Sequence, residues 1–235
     1  MRENYYITKL YPIQDGILKV VRDLEIPFYL TGGTALSRYY NSYRYSDDID
    51  LFVNDDDKYS GYIQKFYAEL EKMKKGQTIR YETQDIRRYK DFTQFIITRC
   101  DTETILKIDL VNDIAPHYGK FGHDETLGKI DSLRNILSNK ISALYRYEAK
   151  DIVDLVFISR RMKYDWKELA AEAREKDASI DPLVICEILN SFPAKLLDEI
   201  KWIEKINYEE FTGDLKIISE DLFTGGINRL CSVKC

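Results

Sequence analysis

The sequence contains few residues of the kind that build zinc or thiolate centres. Its 235 residues include four cysteines and two histidines. Cys100, Cys186, Cys231 and Cys235 lack the paired spacing of a zinc site, and neither histidine flanks them. We therefore expect reduced thiols without a structural role, as is usual for proteins of the cell interior.

Long apolar runs are also missing. The N-terminal Met-Arg-Glu-Asn has no apolar signal core, and no stretch reaches the ~20 apolar residues that a membrane span requires. Internal repeats, low-complexity segments and flexible linkers are absent from the sequence as well. These absences predict a cytoplasmic protein without a membrane partner.

The chain lacks an excess of basic residues. Its formal charge is −5, with 35 lysines and arginines against 40 aspartates and glutamates. This balance argues against a strong non-specific nucleic-acid binder, whose affinity comes from neutralising phosphates. A local basic patch on an acidic protein can still bind RNA, so RNA as a substrate stays open.

Hydrophobic periodicity divides the chain into two halves. The first half mixes both periods, with helices predicted over 12–25, 34–40 and 58–75, strands over 28–30, 48–53, 78–83, 92–98 and 104–111, and a loop over 115–124. The second half has only the helical period, with helices predicted over 132–147, 149–162, 165–176, 181–191, 194–204 and 207–222. We therefore predict an α/β (α+β) core with a mixed sheet over residues 1–131, followed by a helical C-terminal domain over 132–235.

A pair of glycines separates the strand predicted at 28–30 from the following helix. Gly32 and Gly33 have no Cβ, so the backbone there can approach a phosphate closely. Thr34 is predicted to lie at or near the helix cap, where its amide and hydroxyl could donate to the same phosphate. A Gly-Gly pair on its own is more often an ordinary turn.

Carboxylates in a strand pattern form the second feature. Asp48 and Asp50 are two residues apart, so on a strand both side chains point to the same side. Asp109 is a further carboxylate, within an otherwise apolar strand. Carboxylates held this close repel one another unless a cation lies between them. Mg²⁺ suits such a site, and three acids could hold two metal ions, with Mn²⁺ as another fitting metal.

The order Gly-Gly-Thr-Ala-Leu, then Arg-x-Ser-x-Asp-Ile-Asp-Leu-Phe, resembles the AbiEii/AbiGii toxin family of the polymerase-beta-like nucleotidyltransferase superfamily. The resemblance implies that Gly32, Gly33 and Thr34 bind the nucleotide. It further implies that Asp48 and Asp50 hold metal, with Asp109 as the third carboxylate. Arg44 and Ser46 match the family residues that lead into the acidic strand, and we assign them to nucleotide binding.

The helical half carries a second motif with the same resemblance. Lys140 and Arg146 are followed by Asp151 and Asp154, three residues apart and so on one helix face. The resemblance implies that Lys140 binds the triphosphate, that Asp151 belongs to the catalytic set, and that Arg146 binds phosphate or braces the aspartates. The alternative is a structural cluster of salt bridges.

The resemblance implies a Mg²⁺-dependent nucleotidyltransferase that transfers a nucleoside monophosphate from an NTP to a hydroxyl. Its expected acceptor is RNA, at the 3′ end of tRNA, and its expected context is a toxin with an antitoxin partner. Two alternatives stay open at this point: AMP transfer to a protein or small molecule, and an inactive nucleotide-binding module.

Overall fold

A computed structural model describes residues 2–231 of the chain. Its described residues form two compact units. The sheet unit comprises the described residues up to Asn41, with Ser46–Ala115 and Lys120–Asp131. The helical unit comprises Ser42–Tyr45, Pro116–Gly119 and the described residues from Ser132 onward. The last of these divisions falls between Asp131 and Ser132, and the organisation into two domains stays a prediction.

The sheet unit is built on one sheet of eight strands. The strands are β1 Tyr29–Thr31, β2 Ile49–Asn54, β3 Ile79–Arg80, β4 Arg87–Arg88, β5 Phe92–Arg99, β6 Thr104–Asp113, β7 Gly122–Asp124 and β8 Gly128–Ile130. Their order across the sheet is β3-β5-β6-β2-β1-β8-β7, and β4 pairs with β5 beside this path. The sheet is mixed, because β2 runs parallel to β6 while β1–β2 and β5–β6 are antiparallel.

Four α-helices of the sheet unit fall in the described chain, together with a π-helical turn at Tyr6–Leu10. They are α1 Arg2–Tyr5, α2 Tyr11–Asp23, α3 Gly32–Arg38 and α4 Tyr59–Lys75. Apolar side chains of α2 and α4, such as Ile17 and Phe66, are fully buried. Tyr59 of α4 donates its hydroxyl to the carbonyl of Leu110 at 2.8 Å, so α4 lies on the face to which Thr93 and Leu110 point.

Strand alternation decides which side chains point away from α4. Along β6, Leu106, Ile108 and Leu110 are buried, whereas Lys107 and Asp109 are partly exposed. This is the alternation predicted from the sequence, and it leaves Asp109 on the open face of the sheet.

The helical unit contains five α-helices within the described chain: α5 Leu133–Ala143, α6 Ala149–Arg161, α7 Trp166–Lys176, α8 Pro182–Asn190 and α9 Tyr208–Thr224. Ser132, Asp165, Asp181 and Asn207 cap four of them by accepting backbone N–H groups. Its core includes Leu155, Phe157, Trp166 and Ile218. The described helices include none that is long and apolar enough to cross a membrane.

Some predicted elements were wrong in extent. The segment 115–124, predicted as a loop, ends in β7, and the predicted strand 78–83 is reduced to two residues. The predicted helix 194–204 is a short 3₁₀ segment, Ala194–Glu199. Local periodicity does not decide the conformation of these segments, which depends on their neighbours in the fold. Cys100, Cys186 and Cys231 are free thiols, as expected, while Cys235 lies outside the described residues.

Candidate active site

A row of polar side chains crosses the open face of the sheet. Asp50 of β2 pairs in register with Asp109 of β6, and Asp109 pairs with Gln94 of β5. Residues paired across neighbouring strands point to the same face. The amide of Gln94 donates to Oδ1 of Asp109 at 2.8 Å. Asp48 lies one residue before β2 begins and is partly exposed, as Asp50 is. The fold thus brings the three predicted aspartates together.

Lys107 places a positive charge between two of these carboxylates. Its Nζ lies 2.9 Å from Oδ2 of Asp48 and 3.2 Å from Oδ2 of Asp109. Burial alone would lower the pKa of Lys107, but hydrogen bonding and the charges of Asp48 and Asp109 raise that pKa above its usual range. Lys107 is therefore an ammonium at neutral pH, and Asp48 and Asp109 converge on one cationic atom.

Gly32 of the glycine motif lies directly beside one of the carboxylates. Thr31 pairs with Asp50 across β1 and β2, so the next residue, Gly32, lies beside that carboxylate. A Cβ on Gly32 would collide with Oδ2 of Asp50 and approach its Cγ to 3.2 Å. Gly32 also has a φ of +65°, a conformation that favours glycine. Both observations favour glycine at this position, because a Cβ would strain the backbone and displace the Asp50 carboxylate.

Thr34 forms a hydrogen bond to the backbone of the residue just before β2. The helix α3 begins at Gly32, with Thr31 as its cap residue, so Thr34 lies in the first turn, near the cap and not at it. The buried hydroxyl of Thr34 donates to the carbonyl oxygen of Asp48. This bond joins the first turn of α3 to the backbone of Asp48. Since a hydroxyl has only one proton to donate, the Thr34 hydroxyl cannot also donate to a phosphate while the bond is made. Nucleotide binding by Thr34 and Gly33 stays a prediction.

Five charged side chains form a second cluster, here called the buried ion cluster, within the helical unit. Arg44 donates to both carboxylate oxygens of Asp154, at 2.8 and 2.6 Å. Lys140 lies 2.6 Å from Asp151 and 2.7 Å from Asp154, and Arg146 lies 2.9 Å from Asp151. The side chains of Asp151 and Asp154 are 0% exposed. This is the salt-bridge cluster that the sequence left as an alternative.

Charges within the buried ion cluster stabilise one another. Burial would raise the pKa of Asp154, but Arg44 and Lys140 lower it. Burial would likewise lower the pKa of Lys140, but Asp154 and Asp151 raise it. Both groups therefore stay charged at neutral pH. Roles for Arg44, Lys140, Arg146 and Asp151 in nucleotide binding or catalysis stay predictions.

The carboxylates of the site can be compared with the ligands that Mg²⁺ takes in proteins. Across residues 2–231, no group of three or more histidine, cysteine, aspartate or glutamate side chains is arranged to hold a metal ion. Mg²⁺ commonly takes only one or two protein carboxylates and completes its shell with water and substrate phosphates. Asp48 and Asp109 already direct oxygens at one cation, so this pair fits Mg²⁺. Ser46, expected at the nucleotide, is partly exposed beside them in sequence.

Two residues of this site were absent from the sequence-based set. Lys107 is two residues from Asp109 on the same strand face, so its proximity to Asp109 could have been inferred. Gln94 gives no comparable signal, because its contact with Asp109 depends on the register between two strands. Strand register follows from the packed sheet and the turns, and it cannot be counted along one segment.

Two solved structures are similar to this chain over most of its length. JHP933 from Helicobacter pylori matches with a TM-score of 0.60 at 19% identity, over 92% of this chain and 90% of that one. A candidate nucleotidyltransferase from H. pylori matches with a TM-score of 0.57 at 18% identity, over 92% and 96%. The chain thus shares the fold of these two proteins, a mixed α/β sheet followed by helices.

A family model then identifies the chain more closely. The model described as nucleotidyl transferase AbiEii toxin, type IV toxin–antitoxin system, matches residues 18–223. The chain belongs to this family and is a nucleotidyltransferase, which confirms the resemblance found in the sequence. Membership implies a nucleotide substrate and an antitoxin partner. No curated protein matches the chain.

Proposed function

We propose that the protein transfers a nucleoside monophosphate from an NTP to a hydroxyl of RNA, at the 3′ end of tRNA, in a reaction that requires Mg²⁺. The observation that carries this proposal is the convergence of Asp48 and Asp109 on one cation position, with Asp50 in register beside them. RNA as the acceptor rests on the resemblance to the toxin family. Loss of acceptor function in the host would explain the toxin role of that family.

Each side chain has a distinct part in the proposed site. Asp48, Asp50 and Asp109 would hold Mg²⁺, and Asp109, oriented by Gln94, would also help to activate the attacking hydroxyl by accepting its proton. When bound, the metal would neutralise triphosphate charge and lower the barrier to loss of pyrophosphate. Gly32 leaves room for the Asp50 carboxylate, and the Thr34 hydroxyl donates to the Asp48 backbone. Positioning of this kind supplies much of the catalysis in nucleotidyl transfer.

The test is incorporation of labelled NTP into tRNA with and without Mg²⁺. We expect Asp50→Ala and Asp109→Asn to reduce incorporation by about 10² to 10³ or more, since each removes a group that acts in the transition state. Asp57→Asn is the matched control, because Asp57 is an exposed aspartate outside the set of Asp48, Asp50 and Asp109, here called the carboxylate row. It should keep full activity.

Label that reaches tRNA undiminished in Asp50→Ala would refute the assignment of the carboxylates. Label that reaches proteins or small molecules equally in lysate with and without RNase, and never reaches purified tRNA, would refute the acceptor while leaving the enzyme class intact. Repeating the assay with each of the four NTPs then identifies the nucleotide that is transferred.

A further inference from the structure

A short exposed segment at the edge of the sheet unit carries three positive charges in four residues. The segment Arg87-Arg88-Tyr89-Lys90, here called the basic hairpin, comprises β4 and the start of the turn into β5. All four residues are exposed, with the Tyr89 residue at 67% and the Lys90 side chain at 93%.

Strand register aligns the basic hairpin with the carboxylates. Arg87 pairs with Gln94, which pairs with Asp109, which pairs with Asp50. Arg87 therefore continues the polar row on the open face of the sheet. Neighbouring strands are ~4.8 Å apart, so the backbones of Arg87 and Asp109 are separated by about 10 Å. Arg88 points to the other face with Thr93.

Hydrogen bonds close the turn of the basic hairpin and join the next residue, Asp91, to β6. The backbone N–H of Tyr89 donates to the carbonyl of Phe92 at 2.7 Å, which closes the turn. Asn112 of β6 donates its backbone N–H to the Asp91 carbonyl at 2.9 Å, and its side chain donates to the Asp91 carboxylate at 3.1 Å. A hairpin tied at its tip presents its side chains without a large ordering cost.

Among the described residues, Arg87 and Lys90 of the basic hairpin have no close ion-pair partner that a ligand would have to displace. Arg87 makes no ion pair within the part of the chain that the structure describes, and Lys90 approaches only Asp91, at 3.7 Å. The Tyr89 ring lies at 28° to the Phe92 ring with centroids 6.2 Å apart, and its other face is open to solvent. Cations that alternate with an exposed aromatic ring suit a single-stranded nucleic acid.

We propose that the basic hairpin is the binding surface for the RNA acceptor, with Arg87 and Lys90 on its phosphates and Tyr89 stacked on a base. This inference rests on the proposed function, because it takes the carboxylate row as the place of reaction. The register places Gln94 between the basic hairpin and Asp109. An RNA strand bound at the hairpin would therefore extend past Gln94 toward Asp109. An acidic peptide would satisfy the charges, yet it would offer no base for Tyr89.

The experiment is equilibrium binding of a fluorescent single-stranded RNA of about 12 nucleotides, without NTP so that no reaction occurs. We expect Arg87→Gln/Lys90→Gln to weaken binding by about tenfold and to lower the salt slope by about 1.4, for two lost phosphate contacts. We expect Tyr89→Ala to weaken binding by about fivefold or more, and Tyr89→Phe to retain it.

The control is Lys65→Gln/Lys75→Gln, which removes the same charge from exposed positions of α4 on the opposite side of the sheet. Equal loss in this variant, or unchanged binding in the hairpin variants, overturns the inference. Displacement of the RNA by polyglutamate as readily as by unlabelled RNA also overturns it.

Steady-state kinetics separate this inference from the proposed function. In the incorporation assay, the hairpin variants should raise KM for RNA and leave KM for NTP unchanged. If Asp50→Ala abolishes incorporation while the hairpin variants keep the RNA KM, the hairpin inference fails alone. If the hairpin variants lose RNA binding while Asp50→Ala still incorporates label, the proposed carboxylate site fails and the hairpin remains.

Discussion

Gly32 shows at the scale of one residue why the glycine motif and the aspartate motif occur together. Its φ of +65° and its closeness to the Asp50 carboxylate both disfavour a Cβ. We expect Gly32→Ala to destabilise the protein by about 1 kcal/mol or more and to reduce incorporation strongly, because Asp50 must move. Urea denaturation and the incorporation assay measure the two effects.

Gly61→Ala is the matched control for this substitution. Gly61 lies on the exposed side of α4, and a Cβ there would meet nothing within 4 Å. Alanine should therefore stabilise the helix by about 0.5–1 kcal/mol and leave activity unchanged. Full activity in Gly32→Ala would show that the Asp50 position is unimportant for the reaction.

Lys107 allows a prediction about the metal. Its ammonium occupies the position on which Asp48 and Asp109 converge, so it competes with Mg²⁺ for their oxygens. We expect Lys107→Met to lower the Mg²⁺ concentration for half-maximal activity by about fivefold, as a partly exposed ion pair is worth on the order of 1 kcal/mol. Titration of activity with Mg²⁺ measures this, with Lys65→Met as control. A raised NTP KM at unchanged Mg²⁺ dependence would instead place Lys107 on the triphosphate.

At the scale of elements, the buried ion cluster is the main polar link between α5 and α6. Removing Asp154 leaves Arg44 and Lys140 buried with less negative charge to balance them. We expect Asp154→Ala to cost about 3–5 kcal/mol of unfolding free energy, measured by urea denaturation. Glu103→Gln, which breaks an exposed ion pair with Arg80, should change stability far less. Equal effects would mean that the cluster contributes no more than a surface pair.

The pH dependence of stability follows from the same cluster. The folded pKa of Asp154 is lowered, so its contribution is present above the unfolded pKa of about 3.9 and is lost as pH falls through the folded pKa. The folded pKa of Lys140 is raised, so its contribution is present below about 10.4 and is lost as pH rises through the folded pKa. We expect these contributions to stay constant from about pH 5 to 9. Unfolding free energies of wild type and Asp154→Ala across that range should differ by a constant amount.

At the scale of the whole molecule, membership in a type IV toxin family predicts an effect on cells. Induced expression of the protein in bacteria should arrest growth, and Asp50→Ala should relieve the arrest because the carboxylate row is incomplete. Asp57→Asn should remain toxic. Colony counts after induction, with protein levels matched by immunoblot, measure the effect. Arrest that persists in Asp50→Ala would separate toxicity from nucleotidyl transfer.

Much of this fold could be predicted from the sequence. Helices with clear apolar periodicity, such as Tyr59–Lys75 and Ala149–Arg161, lie within one or two residues of their predicted bounds. The antiparallel pair of β5 and β6 was also predicted and is confirmed. Short strands such as β7 and β8 were missed, because three residues carry no readable period and become strands only by pairing.

The sequence by itself identified the residues whose chemistry suits binding of a phosphate or a metal ion. Local geometry alone shows that two glycines before a helix allow close approach and that aspartates two residues apart share a strand face. The motifs could therefore be recognised without a structure. Only the tertiary structure decided which groups meet. It placed Asp50, Asp109, Gln94 and Arg87 in one row across four strands, because register is a property of the assembled sheet. It also placed Lys107 between two carboxylates and paired Arg44 with Asp154, 110 residues away in the chain.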